Sequence, residues 1–156
     1  RLKNIRPIVA ADFSAKRREL AVKMGADIVI DPATEDPYAK LAPGKRAAIF
    51  ECVGVPGVLQ QMFEKVPRDA RVVVVGVCME PDTIEPMFGI VKELSLQFVL
   101  GYTPEEFARS LRLLAEGRVD APSLITGKVG LDEVKGAFAE LGNPERHTKI
   151  LVEPWR

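Results

Sequence analysis

An acid closes the first apolar run of the chain: residues 7–12 read PIVAAD and end at Asp12. At the tip of a strand in a wound parallel sheet, a carboxylate accepts hydrogen bonds from two vicinal sugar hydroxyls, one per oxygen. Its charge also repels a phosphate at the 2′ position. An Asp that turns the chain and caps the following helix accounts for the same residue equally well. Lys16, Arg17 and Arg18 come next. They can meet a phosphate, or, for at least two of the three, form a solvated helix face.

The remaining reactive side chains are few. His147 is the sole histidine, in the polar stretch ERHT before a short apolar run, which suits a surface role better than a nucleophile-activating one. Cys52 follows Glu51 at the end of another apolar run. Neither a histidine nor a helix start adjoins it to lower its pKa, so an inert small side chain is the better reading, and Cys78 reads the same way. Glu51 suits local hydrogen bonding. Two distant cysteines without CxxC or a neighbouring His suggest neither a disulfide framework nor a zinc site.

The elements that must position these residues alternate. Residues 7–12, 26–30, 47–52, 71–77, 94–100 and 149–152 are apolar or alternating runs that read as strands. The four consecutive valines from Val72 predict a central strand buried on both faces. Helices are expected over 15–24 (capped by Ser14, closed by Gly25), 58–66, 104–116 (capped by Thr103, with Pro104 at its first position) and 131–141 (starting near Asp132, ending at Gly142). A weak helix over 37–41 ends at the breaker pair Pro43-Gly44, and residues 80–86 form a Pro-rich loop. The fold class is α/β, a parallel sheet with helices on both faces.

Length and charge set limits. The chain has 156 residues, 47% hydrophobic and 28% charged, enough for one domain with a core. Lys+Arg and Asp+Glu are both 22, so no net charge draws it to nucleic acid or anionic lipid, and aromatics at 6% offer few stacking platforms. No apolar run approaches the roughly 20 residues of a membrane span. The opening RLKNIRP carries no signal-peptide pattern, and a cytoplasmic location is expected.

Residues 8–32, IVAADFSAKRRELAVKMGADIVIDP, resemble the second strand, helix and third strand of the medium-chain dehydrogenase/reductase superfamily, the zinc-type alcohol dehydrogenases. FECVG (50–54), VVVVGV (72–77), LSLQFVLGYTPEE (94–106) and ILVEP (150–154) resemble its later strands in the same order. The resemblance implies a Rossmann-like doubly wound parallel sheet that binds NAD, with NADP disfavoured by Asp12. It implies that Asp12 holds the adenosine ribose, Arg17 lies beside it and Phe13 flanks the adenine, with Cys52 and Val53 on the same side of the cleft. Val75, Gly76 and Val77 would lie along the nicotinamide ribose and ring, Gly76 lacking a Cβ so that the backbone approaches the ligand. Val99 and Leu100 would offer main-chain groups to the carboxamide.

The family's GxGxxG phosphate cradle is not in the sequence; Gly54-Val55-Pro56-Gly57 has neither its spacing nor its context. The expectation is one N-terminally incomplete cofactor domain over residues 1–156, lacking its first strand and Gly-rich turn. It opens on the tail of a helix at 1–6, and the catalytic domain and zinc ligands are absent from the chain. In the family order the missing strand lies between the second and fourth, so two sheet edges are left to be covered by other parts of the protein, paired directly or swapped. The implied reaction is hydride transfer between an alcohol or polyol and the nicotinamide, in a homo-oligomer formed through residues 94–100 (Leu94 to Leu100). Alternatives are a zinc-free NADPH quinone or enoyl reductase of the same superfamily, an S-adenosylmethionine-dependent methyltransferase, and a non-enzymatic nucleotide-sensing domain.

Overall fold

The computed structural model describes residues 2–41 and 44–156. They fall into two compact units, residues 38–102 forming one and residues 1–37 with 103–156 the other.

In the discontinuous unit, β1 (Val9–Ala11), α1 (Ala15–Met24) and β2 (Ile28–Ile30) make a parallel crossover, with Ala10 opposite Val29. Ser14 caps α1 by accepting from the Arg17 N–H at 3.1 Å, and Gly25 closes it at φ 99°, a left-handed geometry that costs glycine little. α4 (Pro104–Ala115) starts on a capping box in which Thr103 and Glu106 satisfy each other's backbone N–H. A 3-10 turn, Leu131–Glu133, runs into α5 (Val134–Leu141), which packs on β7 (Ile150–Val152). β7 pairs in parallel with β6 (Gly127–Val129).

The continuous unit holds β3 (Ala48–Glu51), α2 (Val58–Lys65), β4 (Arg71–Val74), α3 (Pro86–Val91) and β5 (Ser95–Phe98). The strands form one parallel sheet in the order β3-β4-β5, with Ile49, Val72 and Leu96 in register. Val72 and Val74 bury against Met62, Val66 and Ala70, flanked by Ile49, Leu59 and Leu96. Each fully buried valine contributes about 1.5–3 kcal/mol relative to exposure. The valine run is therefore the central strand of its sheet, as its sequence indicates, but only the Val72 and Val74 face is fully buried; Val73 is half-buried and Val75 exposed.

Every ladder is parallel, as expected, but the strands do not make one continuous sheet: β1 pairs with β2, and β3 pairs with β4. Strands are shorter than their apolar runs, since Val75 to Val77 turn away after β4 and residues 7–8 precede the β1 ladder. The helix tail expected over residues 1–6 does not form. Residues 2–3 make a turn, Asn4 sits at φ 54°, and Pro7 disfavours helix at Arg6; Arg1 lies outside the described residues, as does Pro43 of the breaker pair. The weak helix is a 3-10 turn, Pro37–Lys40. Two elements carried no clear signal: α3, whose start at Pro86 follows the Pro-rich loop, and β6, a three-residue strand beginning on glycine. Among the described residues no helix is long and apolar enough to cross a membrane.

Candidate functional site

Asp12 stands one residue beyond β1, its N–H donating to the Ile30 carbonyl at 3.3 Å as the ladder ends. Its Oδ1 accepts from the Ser14 N–H at 2.8 Å, and its Oδ2 lies 3.7 Å from Arg17 Nη1. The side chain remains 37% exposed. One oxygen thus shapes the turn, and the other faces Arg17 on a side chain that keeps partial exposure. Phe13, 74% exposed, projects beside it.

The basic trio divides. Arg18 Nη1 donates to the Asp12 and Phe13 carbonyls at 2.8 and 2.7 Å, and Nη2 lies 3.0 Å from the Asp31 carboxylate. Lys16 Nζ donates to the Arg146 carbonyl at 3.1 Å. Arg18 is thus a half-buried structural tie, whereas Lys16 stays on the exposed face that the sequence suggests while bonding Arg146. Arg17 alone is left beside Asp12. Nothing in the local sequence marks Arg18 as the residue that fixes the Asp12 turn, because its carbonyl partners carry no side-chain signature.

In the continuous unit, Cys52, Val53, Val75, Gly76, Val77, Val99 and Leu100 gather at the C-terminal ends of β3, β4 and β5. Val53, Val75, Val77 and Val99 are exposed, and Leu100 is 90% so. Their N–H groups are largely committed inward. Val75 and Gly76 donate to the Glu51 carbonyl at 2.8 and 2.9 Å, Val53 and Gly54 donate to Glu51 Oε1 at 2.5 and 2.8 Å, and Val99 donates to the Val74 carbonyl at 3.1 Å. The expected offer of Val99 main-chain groups is therefore reduced to its carbonyl. The Gly57 N–H is also taken, by Asp82 at 2.9 Å. With three of its amides engaged, the loop over residues 53–57 cannot cradle a phosphate, in keeping with its spacing. The rim offers apolar side chains, which suits a flat ring and a sugar face rather than an anion.

Gly76 has a reason to be glycine within the protein itself. A Cβ there would lie 2.6 Å from Glu51 Oε2 and 2.8 Å from the Gly54 Cα. The close neighbour is the protein's own backbone.

Burial and the Glu51 charge push the Cys52 thiol up, which keeps it protonated and agrees with an inert side chain. The Cys78 Sγ bonds the Glu80 carbonyl at 3.4 Å. His147 is not a surface residue: Nδ1 lies 3.2 Å from Thr126 Oγ1 and Nε2 3.2 Å from the Glu140 carboxylate, with the ring half-buried. It ties α5 to the start of β6. Among the described residues no three His, Cys, Asp or Glu side chains are grouped to hold a metal. A groove of about 540 Å³ lies at the opposite end of the three-stranded sheet, lined by charges of both signs, Arg46, Asp69, Arg71 and Glu93. None of the candidate residues lines it.

Residues 1–116, which hold the parallel crossover with Asp12 after its first strand and the three-stranded parallel sheet with its apolar rim, match the zinc-binding dehydrogenase profile. The chain belongs to the zinc-binding dehydrogenase family. It is 32% identical to the (R,R)-butanediol dehydrogenase of Bacillus subtilis over 152 residues, which cover 94% of the chain and 43% of that enzyme. A solved structure of 2R,3R-butanediol dehydrogenase from Bacillus subtilis superposes with a TM-score of 0.80 at 32% identity, covering 94% of this chain and 43% of that one. A Sinorhizobium meliloti protein solved with NADP bound superposes with a TM-score of 0.80 at 26% identity, covering 98% and 46%. This family member thus spans less than half the length of these relatives. Their Rossmann-like parallel fold is the one its α/β elements build.

Proposed function

We propose that this chain holds NAD(H) for an oxidoreductase that moves a hydride between an alcohol or polyol carbon and the nicotinamide. The observation that carries the reading is Asp12, a partly exposed carboxylate at the end of a parallel strand. There it accepts from the adenosine ribose hydroxyls, and its charge disfavours the 2′-phosphate of NADP. Arg17 lies beside it and Phe13 flanks the adenine; in the other unit, Cys52 and Val53 are the cofactor-facing residues after β3. Val75, Gly76 and Val77 lie along the nicotinamide ribose and ring, with Val99 and Leu100 toward the carboxamide. The apolar rim supports that assignment. When bound, the nicotinamide accepts or donates the hydride; this chain's residues bind and orient it. The butanediol-oxidising relative supports an alcohol or polyol substrate. Zinc has no ligand set among the described residues.

The same reading makes β5 a pairing edge, residues 94–100 joining two copies, since β4 is its ladder partner on one side. It also puts the protein in the cytoplasm, in keeping with two free cysteines.

The test is titration of the full-length protein with NADH, NADPH and S-adenosylmethionine, repeated for Asp12→Asn. NADH is expected to bind more tightly than NADPH, with the preference narrowed in the variant by roughly tenfold, the scale of one charged hydrogen bond. Stabilisation by S-adenosylmethionine alone overturns the proposal. Binding of NADH without substrate-dependent absorbance change at the reduced-cofactor band would make the chain a sensor instead.

A further inference from the structure

Glu51 is the residue on which the two rim loops converge. Its carboxylate is buried, 3% exposed, and removing such a charge from water costs several kcal/mol unless hydrogen bonds replace the hydration. Oε1 receives two N–H groups, from Val53 at 2.5 Å and Gly54 at 2.8 Å, short bonds of the charge-assisted kind. The Glu51 main-chain carbonyl receives two more, from Val75 and Gly76. Oε2 faces Gly76, where a Cβ would stand 2.6 Å away. One residue therefore fixes the loop after β3 through its side chain and the loop after β4 through its carbonyl, with its second carboxylate oxygen packed against Gly76.

We infer that Glu51 is a positioning residue of the cofactor rim, coupling the Val53 loop to the Val75–Val77 loop so that a ligand spanning both meets them at a fixed spacing. The inference rests on the cofactor reading above, in which the first loop lies on the adenine side and the second along the nicotinamide. Glu51 touches no ligand. Its effect is on relative placement, and it falls most heavily on a ligand that needs both loops at once. AMP reaches only the adenine side, whereas NADH spans the two.

The test uses the full-length protein, its Glu51→Ala and Glu51→Gln variants, and two probes, NADH and AMP. Glu51→Ala frees the Val53 loop on the adenine side and is expected to weaken AMP by about threefold and NADH, which also needs the spacing to the second loop, by about tenfold or more, the latter corresponding to loss of one or two buried hydrogen bonds. Glu51→Gln keeps a carbonyl oxygen for both N–H groups and is expected to restore NADH binding to within about threefold of the parent. Equal weakening of both probes would reveal a merely structural residue and overturn the inference, as would no weakening of either, or a Gln variant as impaired as Ala. If the Ala variant does not fold, amide exchange of the parent decides: slow exchange at Val53, Gly54, Val75 and Gly76 supports the coupling, and exchange at the rate of open loop amides overturns it. A parent protein that binds neither probe refutes the cofactor reading itself, a different failure from any change confined to the variants.

Discussion

Gly54 and Gly76 meet backbone to backbone: a Cβ on Gly54 would lie 2.6 Å from the Val77 nitrogen, and one on Gly76 would lie 2.8 Å from the Gly54 Cα. Neither position has room for a side chain, and the atoms in the way are main chain, which cannot rotate aside. Gly76→Ala is expected to destabilise the protein by about 2–3 kcal/mol, the upper range of overpacking. Gly54→Ala should cost more, because its φ of 71° adds a conformational penalty of about 1 kcal/mol. Gly57→Ala, at φ 85° with nothing within 4 Å of its Cβ, isolates that conformational cost and should be the mildest. Urea denaturation ranks the three. A Gly76→Ala protein as stable as its parent would show that the turns are not in contact.

The Cys52 thiol is exposed yet held in its neutral form, by partial burial first and by the Glu51 charge second. The thiolate is the reactive species, so accessibility alone does not make this side chain a nucleophile. At pH 7.5 iodoacetamide should modify Cys52 several-fold more slowly than a free cysteine peptide, and Glu51→Gln should bring the rate closer to it by removing the neighbouring charge. Peptide mapping after timed quenching reads both. Parent reactivity equal to that of the free peptide contradicts the assignment.

What the sequence disclosed follows from how local each signal is. Ser14, Gly25 and Thr103 mark their helix ends because a cap is made within a few residues of itself. The valine run announces a central strand because a strand paired on both edges favours β-branched side chains, although only the face of Val72 and Val74 is fully buried. Asp12 is legible as an acid after an apolar run. Glu51 is legible as a hydrogen-bonding residue, but not as the meeting point of four N–H groups, two of them from a loop beyond the next strand. The Gly54–Gly76 contact is hidden for the same reason: nothing near Gly76 in sequence states what faces it. His147 misleads because ERHT is polar, while its ring turns inward to Thr126 and Glu140 across chain distance. β6, only three residues long and begun by a glycine, leaves too little pattern to read.

Glu145 holds the start of α1. Its carboxyl is held below the usual carboxylate range, first by the Ser14 hydroxyl and then by the Lys16 and Ala15 N–H groups and the Arg18 charge. A folded-state pKa below the unfolded one means that the ionised form favours the fold. The contribution is fully present above the unfolded value and is lost as pH falls through the folded one. Glu145→Gln should therefore be less stable than the parent at pH 7, and the gap should close on acidification below about pH 4.5. The group is exposed, so the gap is small and shrinks in high salt. Denaturation midpoints taken in steps from pH 7 to pH 3 test it; a gap that widens toward acid has the wrong sign.

Thr126 gathers the entry to β6 and β7 on one hydroxyl. Its Oγ1 accepts from the Thr148 N–H at 3.0 Å and the Lys149 N–H at 3.3 Å, and lies 3.2 Å from both His147 Nδ1 and the Lys149 carbonyl. Replacing it by valine keeps the shape and strands the half-buried Thr148 N–H, the Lys149 N–H being exposed to water, which should cost about 1 kcal/mol, whereas serine should cost far less. The histidine supplies a second readout. An ionised Glu140 carboxylate can only accept, so in the neutral ring the proton belongs on Nε2, and Nδ1 competes with the Lys149 carbonyl for the single Thr126 hydroxyl proton. Nitrogen chemical shifts of this sole imidazole, recorded where the ring is neutral, should report the Nε2–H tautomer in the parent and a weaker tautomer preference in Thr126→Val. An Nδ1–H tautomer in the parent would mean that the Glu140 contact does not persist in solution.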